Sequence, residues 1–251
     1  MILYEYPFHE RIRTYLRLEH LFIRLSHLAS RDDAIDHHCA LATMFEIIEV
    51  AARSDLRSDL LKDLDRQKSL LEAYRDNPAI SQPALEQVIA QLDRCHEAMT
   101  GQTGKAGQGL ADNEWLTALR NRIAIPGGTC EFDLPAYHAW KHLPGERRRQ
   151  DLATWIGTLL PMADSIRLLL KLLRDAGTPQ KVIANGGQFQ QNLPQGRTFQ
   201  MLRLALDPAL GLIPEISGNR LAVSIRLMRQ TDEGRWVPST DDTAFEMALC
   251  L

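Results

Sequence analysis

The first hundred residues contain no glycine; the earliest of the 15 in the chain is Gly101. Proline is nearly as scarce there, with Pro7, Pro78 and Pro83 alone. Glycine is the residue that left-handed turns and bulges most often need, so a stretch this long without one is poorly suited to a sheet of tight hairpins. It is rich instead in Leu, Ala, Arg and Glu, which favour helix after helix. The pattern predicts helices over roughly 9–30, 34–52, 56–76 and 81–99. Asp33 and Ser81 are suited to cap two of them, and Asn77-Pro78 is a stop signal.

Beyond Gly101 the signals change. Residues 101–109 are glycine-rich and read as a linker. Gly104-Lys105 lacks the following Ser or Thr, and the strand before it, that a phosphate loop needs. A helix is expected over roughly 112–123, then a turn at 125–135, then a short helix begun by Pro135 and ended before Pro144. A last helix covers about 146–175, kinked or split by Pro161 and stopped by Gly177. After Pro179 the apolar period becomes two: Leu202, Leu204, Leu206; Leu221, Val223, Ile225, Leu227; Phe245, Met247, Leu249, Leu251. Turn clusters at 185–187, 217–219 and 232–234 separate them. This is antiparallel β with one face in a core. The expected fold is therefore α+β: an all-helical domain over 1–178, then a small antiparallel β domain over 179–251, with residues 2–6 available as an edge strand.

Composition narrows function. Lys+Arg total 29 and Asp+Glu 32, a net charge of -3, which lacks the basic excess of a dedicated nucleic-acid binder. No apolar run approaches the ~18 residues of a membrane span, and the first residues lack a signal-peptide pattern. Cys39, Cys95, Cys130 and Cys250 are too sparse for a disulfide framework and form no CxxC pair. These features suit reduced thiols and the cytoplasm.

Catalytic constellations are thin. His37-His38-Cys39 and Cys95-His96 could approach one another as metal ligands, but adjacent histidines on a helix diverge by about 100°. Cys130 with His138 has no supporting nucleophile signature. Neither a metal nor a cofactor is expected, nor an enzyme; a small-molecule enzyme site in a cleft between the domains is a third reading, for which the sequence shows no convergent set of polar groups.

Cationic stripes carry more. Arg13, Arg17, His20 and Arg24 fall within one narrow arc of the first helix. Ile12, Tyr15, Leu16, Leu18, Phe22, Ile23 and Leu25 take the opposite, core-facing side, with Glu19 in their midst and in need of a partner. Arg203 and Arg226 point away from their apolar neighbours and would share the non-core face if their strands were adjacent. His138, beside Tyr137, Trp140 and Lys141, fits a protein-binding surface of mixed aromatic and cationic character. A solvated face paired with acidic neighbours is the competing explanation for each stripe.

Several segments resemble the ZapD family of cell division proteins: Glu10 through Glu19, Ser58 through Gln67, Arg120 through Pro135 (RNRIAIPGGTCEFDLP), Pro135 through Trp140, and Ile216-Ser217-Gly218. The resemblance spans nearly the whole chain in order. It implies a helical domain followed by a β domain, a symmetric homodimer, and binding to the C-terminal tail of the tubulin-like protein FtsZ, whose filaments it would cross-link at midcell. It implies no catalysis. By motif position the tail site would use Arg17, His138 and Arg226. A further basic position of the family falls on Glu114 here, with Arg120 or Arg122 as its substitute. With the stripes above, the candidate protein-binding residues are Arg13, Arg17, Arg24, Arg120, His138, Lys141, Arg203 and Arg226. The alternative is a nucleic-acid-binding regulator that places the first-helix arginines on phosphates; no nucleic acid and no membrane insertion are expected on the leading reading.

Overall fold

The computed structural model describes residues 1–52, 55–102, 107–194 and 196–251, apart from the side chains of Gln108 and Ala111. Gly104-Lys105 lies outside the described residues. The chain forms two compact units, Tyr15–Leu169 and Met1–Thr14 with Leu170–Leu251.

The elements follow the expected order. Strand β1 (Ile2–Pro7) precedes helices α1 (Glu10–Ala29), α2 (Ala34–Ala52), α3 (Leu56–Glu72), α4 (Gln82–Gly101), α5 (Gln108–Ala111), α6 (Glu114–Ile123), α7 (Pro135–Lys141), α8 (Gly145–Gly157) and α9 (Leu160–Asp175). Strands β2 (Gln180–Ala184), β3 (Gln188–Asn192), β4 (Met201–Leu206), β5 (Leu212–Gly218), β6 (Ala222–Gln230), β7 (Trp236–Pro238) and β8 (Thr243–Cys250) complete the chain. The fold is helices followed by antiparallel sheets.

In the helical unit, α2 is the central element. Ala40, Leu41, Met44 and Ile47 are fully buried, and α2 contacts both α6 and α8. Asp33 caps it by accepting from the Ile35 amide at 2.7 Å. Ser81 stands at the N-cap of α4 without a side-chain bond there. Helices α3 and α4 form a hairpin on Leu56, Leu60, Leu64, Leu85, Ile89 and Leu92, with Lys68 on Asp93 at 2.6 Å and Arg75 on Glu86 at 2.8 Å at its surface. Helix α3 ends at Glu72 rather than near 76, since the bonds tighten to i→i+3 at Tyr74 and Arg75 before Asp76 turns left-handed (φ 64°) ahead of Asn77-Pro78. The expected long last helix is two helices. α8 ends at Gly157, and Pro161 occupies the first turn of α9, where its missing N–H costs nothing.

In the other unit, two sheets share one core. One sheet runs β1-β4-β8-β2; the other runs β3-β6-β5, with β7 also paired to β6. Leu202, Leu204, Leu206, Phe245 and Met247 from the first meet Leu212, Val223, Ile225 and Leu227 from the second. Tyr4 and Tyr6 of β1 pack on the same core. Two residues of the expected alternation fall outside it: Leu221 precedes β6, Leu251 follows β8, and both are exposed. The chain passes from β2 in one sheet to β3 in the other through Asn185-Gly186-Gly187, a tight turn in which both glycines have positive φ (54° and 73°) and the Gln188 amide donates to the Asn185 carbonyl at 3.0 Å.

Candidate functional site

Helix α1 buries Ile12, Tyr15, Leu18, Leu21, Phe22 and Leu25. That leaves Arg17 and His20 exposed and Arg13 and Arg24 half-buried, so the stripe exists as one face. Its ends are engaged within the fold. Arg13 lies 3.2 Å from Glu10, and Arg24 donates to Thr43 Oγ1 at 2.9 Å and to Glu46 at 2.6 Å. Such surface pairs are worth about 0–1 kcal/mol and exchange readily for an incoming carboxylate. Ile23 departs from the expected core face and is 65% exposed. It lines a cleft of about 420 Å³ with Phe22, Ala163, Arg167 and the half-buried Glu19.

Arg203 and Arg226 do not share a face, because β4 and β6 belong to different sheets. Arg226 is exposed on β6, opposite Gln188 of β3 and Glu215 of β5. Arg203 stands opposite Glu5 of β1 and is not on a solvated face. Arg174, in the last turn of α9, grips Glu5 in a two-pronged contact at 2.8 and 2.7 Å. Arg203 approaches the same carboxylate at 3.2 Å. The alternation of β4 therefore separates a core face from one covered by the end of α9, not from a solvated one.

The segment 114–143 forms the second cationic surface. Asn113 caps α6 by accepting from the Leu116 amide. Burial of Leu116 and Leu119 then turns Glu114, Arg120 and Arg122 outward. Arg120 borders a small cleft of about 130 Å³ with Phe45, Ile48 and Leu116. The following loop is stiff. Backbone bonds run from Ile125 to Arg122 O, from Gly128 to Ile125 O and from Leu134 to Cys130 O. Arg122 pairs with Asp133 at 3.4 Å. Gly127 is left-handed, and a Cβ on Gly128 would lie 2.6 Å from Arg122 O. This fixed loop exposes Ile125 (48%) and Phe132 (79%), large apolar side chains that sequence reasoning did not single out. The FDLP spacing around Phe132 was the available signal.

Helix α7 corrects one expectation. Tyr137 and Trp140 are buried, so they support the surface from below and do not form it. Tyr137 packs near Trp115 and Trp140, and Trp115 stacks on Trp155 at 5.2 Å. The Tyr137 hydroxyl lies 2.6 Å from His38 Nδ1. Burial pushes the Tyr137 pKa up, and burial followed by the Lys141 charge pushes that of His38 down, so the neutral pair forms a hydroxyl-to-imidazole hydrogen bond. Lys141 Nζ sits 5.1 Å from the centre of the Tyr137 ring, a cation–π contact. The half-buried His138 lies 4.5 Å from His142, ring to ring. The presented face is therefore His138, Lys141 and His142, with Phe132 on the preceding loop.

Among the described residues, no group of three or more His, Cys, Asp or Glu side chains is placed to hold a metal ion. The four cysteines form no disulfide. No described helix is long and apolar enough to cross a membrane.

Comparison with known proteins places this architecture. The profile of the family described as "ZapD: Cell division protein" matches residues 16–226. The cell division protein ZapD of Ralstonia nicotianae (strain ATCC BAA-1114 / GMI1000) is 53% identical over 251 residues, covering 100% of this chain and 99% of the relative. The protein of the same name from Ralstonia pickettii (strain 12J) is 52% identical with the same coverage. These relatives are named for cell division and not for an enzymatic activity. The chain belongs to the ZapD family of cell division proteins.

Proposed function

We propose that this protein binds the C-terminal tail of FtsZ and, as a homodimer, cross-links FtsZ filaments in the cytoplasm at midcell without catalysing a reaction. The observation that carries this reading is the stiff loop and helix at 120–143, where Arg120, Arg122, His138, Lys141 and His142 accompany exposed Ile125 and Phe132. Interleaved cations and apolar groups suit a short peptide that is both acidic and apolar. Arg17 on α1 and Arg226 on β6 add exposed guanidiniums, one on each unit. Arg13 and Arg24 flank Arg17 and can exchange Glu10 and Glu46 for tail carboxylates. Arg203, held by Glu5, supports its strand and contributes least.

A disordered tail loses entropy on binding, so a single contact is weak. Two sites on a dimer facing many tails raise the effective concentration and convert weak contacts into filament bundling. The alternative on phosphates is disfavoured by the net charge of -3, which lacks the basic excess of a nucleic-acid binder.

The variant Arg17→Ala with Arg226→Ala tests the site. Each truncation is expected to cost about 1–2 kcal/mol of tail binding, so the pair weakens it roughly 30-fold or more. Bundling of FtsZ polymers, followed by light scattering, should be lost at concentrations where the wild type bundles. Unchanged bundling by the folded variant would contradict the assignment.

A further inference from the structure

We infer that Arg148 is a positioning residue for the cationic face of α7, and that it holds that face only while the His37 ring is neutral. The inference rests on the tail-binding reading above, since α7 carries His138 and Lys141.

Arg148 projects from α8 and is only 6% exposed. The acceptors around it are unusual for a buried guanidinium, being carbonyls and an imidazole rather than a carboxylate. Nη1 donates to the carbonyl of Lys141 at 2.9 Å and to that of Leu143. Nη2 donates to the carbonyl of Asp32. Nε donates to His37 Nδ1 at 2.9 Å. Lys141 ends α7 and Leu143 follows two residues later, so the guanidinium caps the carbonyl end of that helix and ties it to the α1–α2 turn. A cation at a helix C-terminus is favoured both by the orphan carbonyls and by the macrodipole. The backbone that carries Lys141 is thus fixed by Arg148.

The His37 end of the clamp has only one workable protonation state. Nε2 faces the Arg31 carbonyl at 2.6 Å, which can only accept, so Nε2 carries the hydrogen. Nδ1 must then be bare to accept from Arg148. A second proton would set N–H against N–H and place two cations in contact. The groups that bear on His37 are Asp33 from the α1–α2 turn, Asp36 from its own helix and Arg148 from α8, with the Trp140 ring tilted beside it and Arg149 held by Asp32. Asp33, Asp36 and the Arg31 carbonyl favour the imidazolium, whereas burial and Arg148 oppose it. The opposing effects prevail, and the His37 pKa lies below its ordinary 6.5. The folded protein therefore binds fewer protons than the unfolded chain, so this contribution to stability is complete above about 6.5 and is lost as the pH falls below it.

Acidification should then weaken the hold on an acidic partner, because release of Arg148 unfastens α7. The experiment uses the full chain at pH about 7.5 and about 5.5, with amide hydrogen exchange of 135–143 expressed as protection factors and titration with a synthetic FtsZ tail peptide. In the wild type, protection of 139–143 is expected to fall at the lower pH by up to about tenfold, the most that one proton gained on opening allows over this range, beyond any fall in β4, and tail affinity should fall with it. Arg148→Met should show the loosened α7 at both pH values. His37→Gln, which has no proton to gain there, should show no pH-dependent loss of protection. Equal protection at both pH values in the wild type would overturn the clamp. Loosening without loss of tail affinity would overturn its role in positioning the surface. A wild type that loosens but binds no tail at either pH would overturn the tail reading, and the positioning role with it, while leaving the clamp geometry in place.

Discussion

Glu5→Ala is expected to destabilise the protein by about 3 kcal/mol or more, because it leaves two partly buried guanidiniums without their shared counter-charge. Glu5 is 16% exposed at its side chain, Arg174 23% and Arg203 27%, so water screens the group incompletely. Arg174 holds both carboxylate oxygens, and Arg203 meets one of them and also donates to the Arg174 carbonyl at 3.4 Å. The carboxylate thus joins the first strand, the fourth strand and the end of α9. Replacing all three residues by methionine should restore most of the loss, since removing a whole buried ionic group is far less costly than breaking it. Urea unfolding measures both, as a shift in midpoint at constant slope. A loss below about 1 kcal/mol for Glu5→Ala would place the cluster among ordinary surface pairs.

Gly187→Ala is the second large effect, again about 3 kcal/mol. Two causes combine. The φ of Gly187 is +73°, a left-handed backbone that costs a side-chain-bearing residue about 1 kcal/mol or more. A Cβ there would also lie 2.1 Å from the Ser239 carbonyl oxygen, so backbone and not a flexible side chain must move, at a cost of about 1–3 kcal/mol. Gly186→Ala is the internal comparison. Its φ is 54°, but its Cβ would meet nothing nearer than 4.0 Å. Thermal unfolding should show Gly186→Ala losing about 1 kcal/mol and Gly187→Ala clearly more. Equal losses would mean that the close approach to Ser239 contributes nothing.

Much of this architecture was legible because its signals are local. The glycine-free stretch, Asp33 before α2 and Pro135 at the start of α7 each act within a few residues, and the helix assignments followed. Alternation marked β4, β6 and β8, which line the shared core. Strands β2, β3 and β5 were not marked, since QKVIA, QFQQN and LIPEISG lack a clean period of two. Which strands pair is a long-range property, so the sequence could not reveal that Arg203 lies opposite Glu5 while Arg226 belongs to another sheet. The same limit applies at α7. Spacing placed Tyr137, Trp140, His138 and Lys141 on one short helix, but only the packing of Trp115 and Trp155 shows which of them point inward. Arg148 was invisible for a related reason, because its acceptors are mostly backbone carbonyls, which no side-chain pattern announces.

The most direct test of the account is sedimentation of FtsZ polymers in the presence of this protein, with full-length FtsZ and with FtsZ lacking its C-terminal tail. The protein should co-pellet with the full-length polymers, gather them into bundles and do so less at high salt, as cationic contacts require; it should stay in the supernatant when the tail is absent. Equal co-pelleting with tailless polymers would contradict the proposed mode of binding.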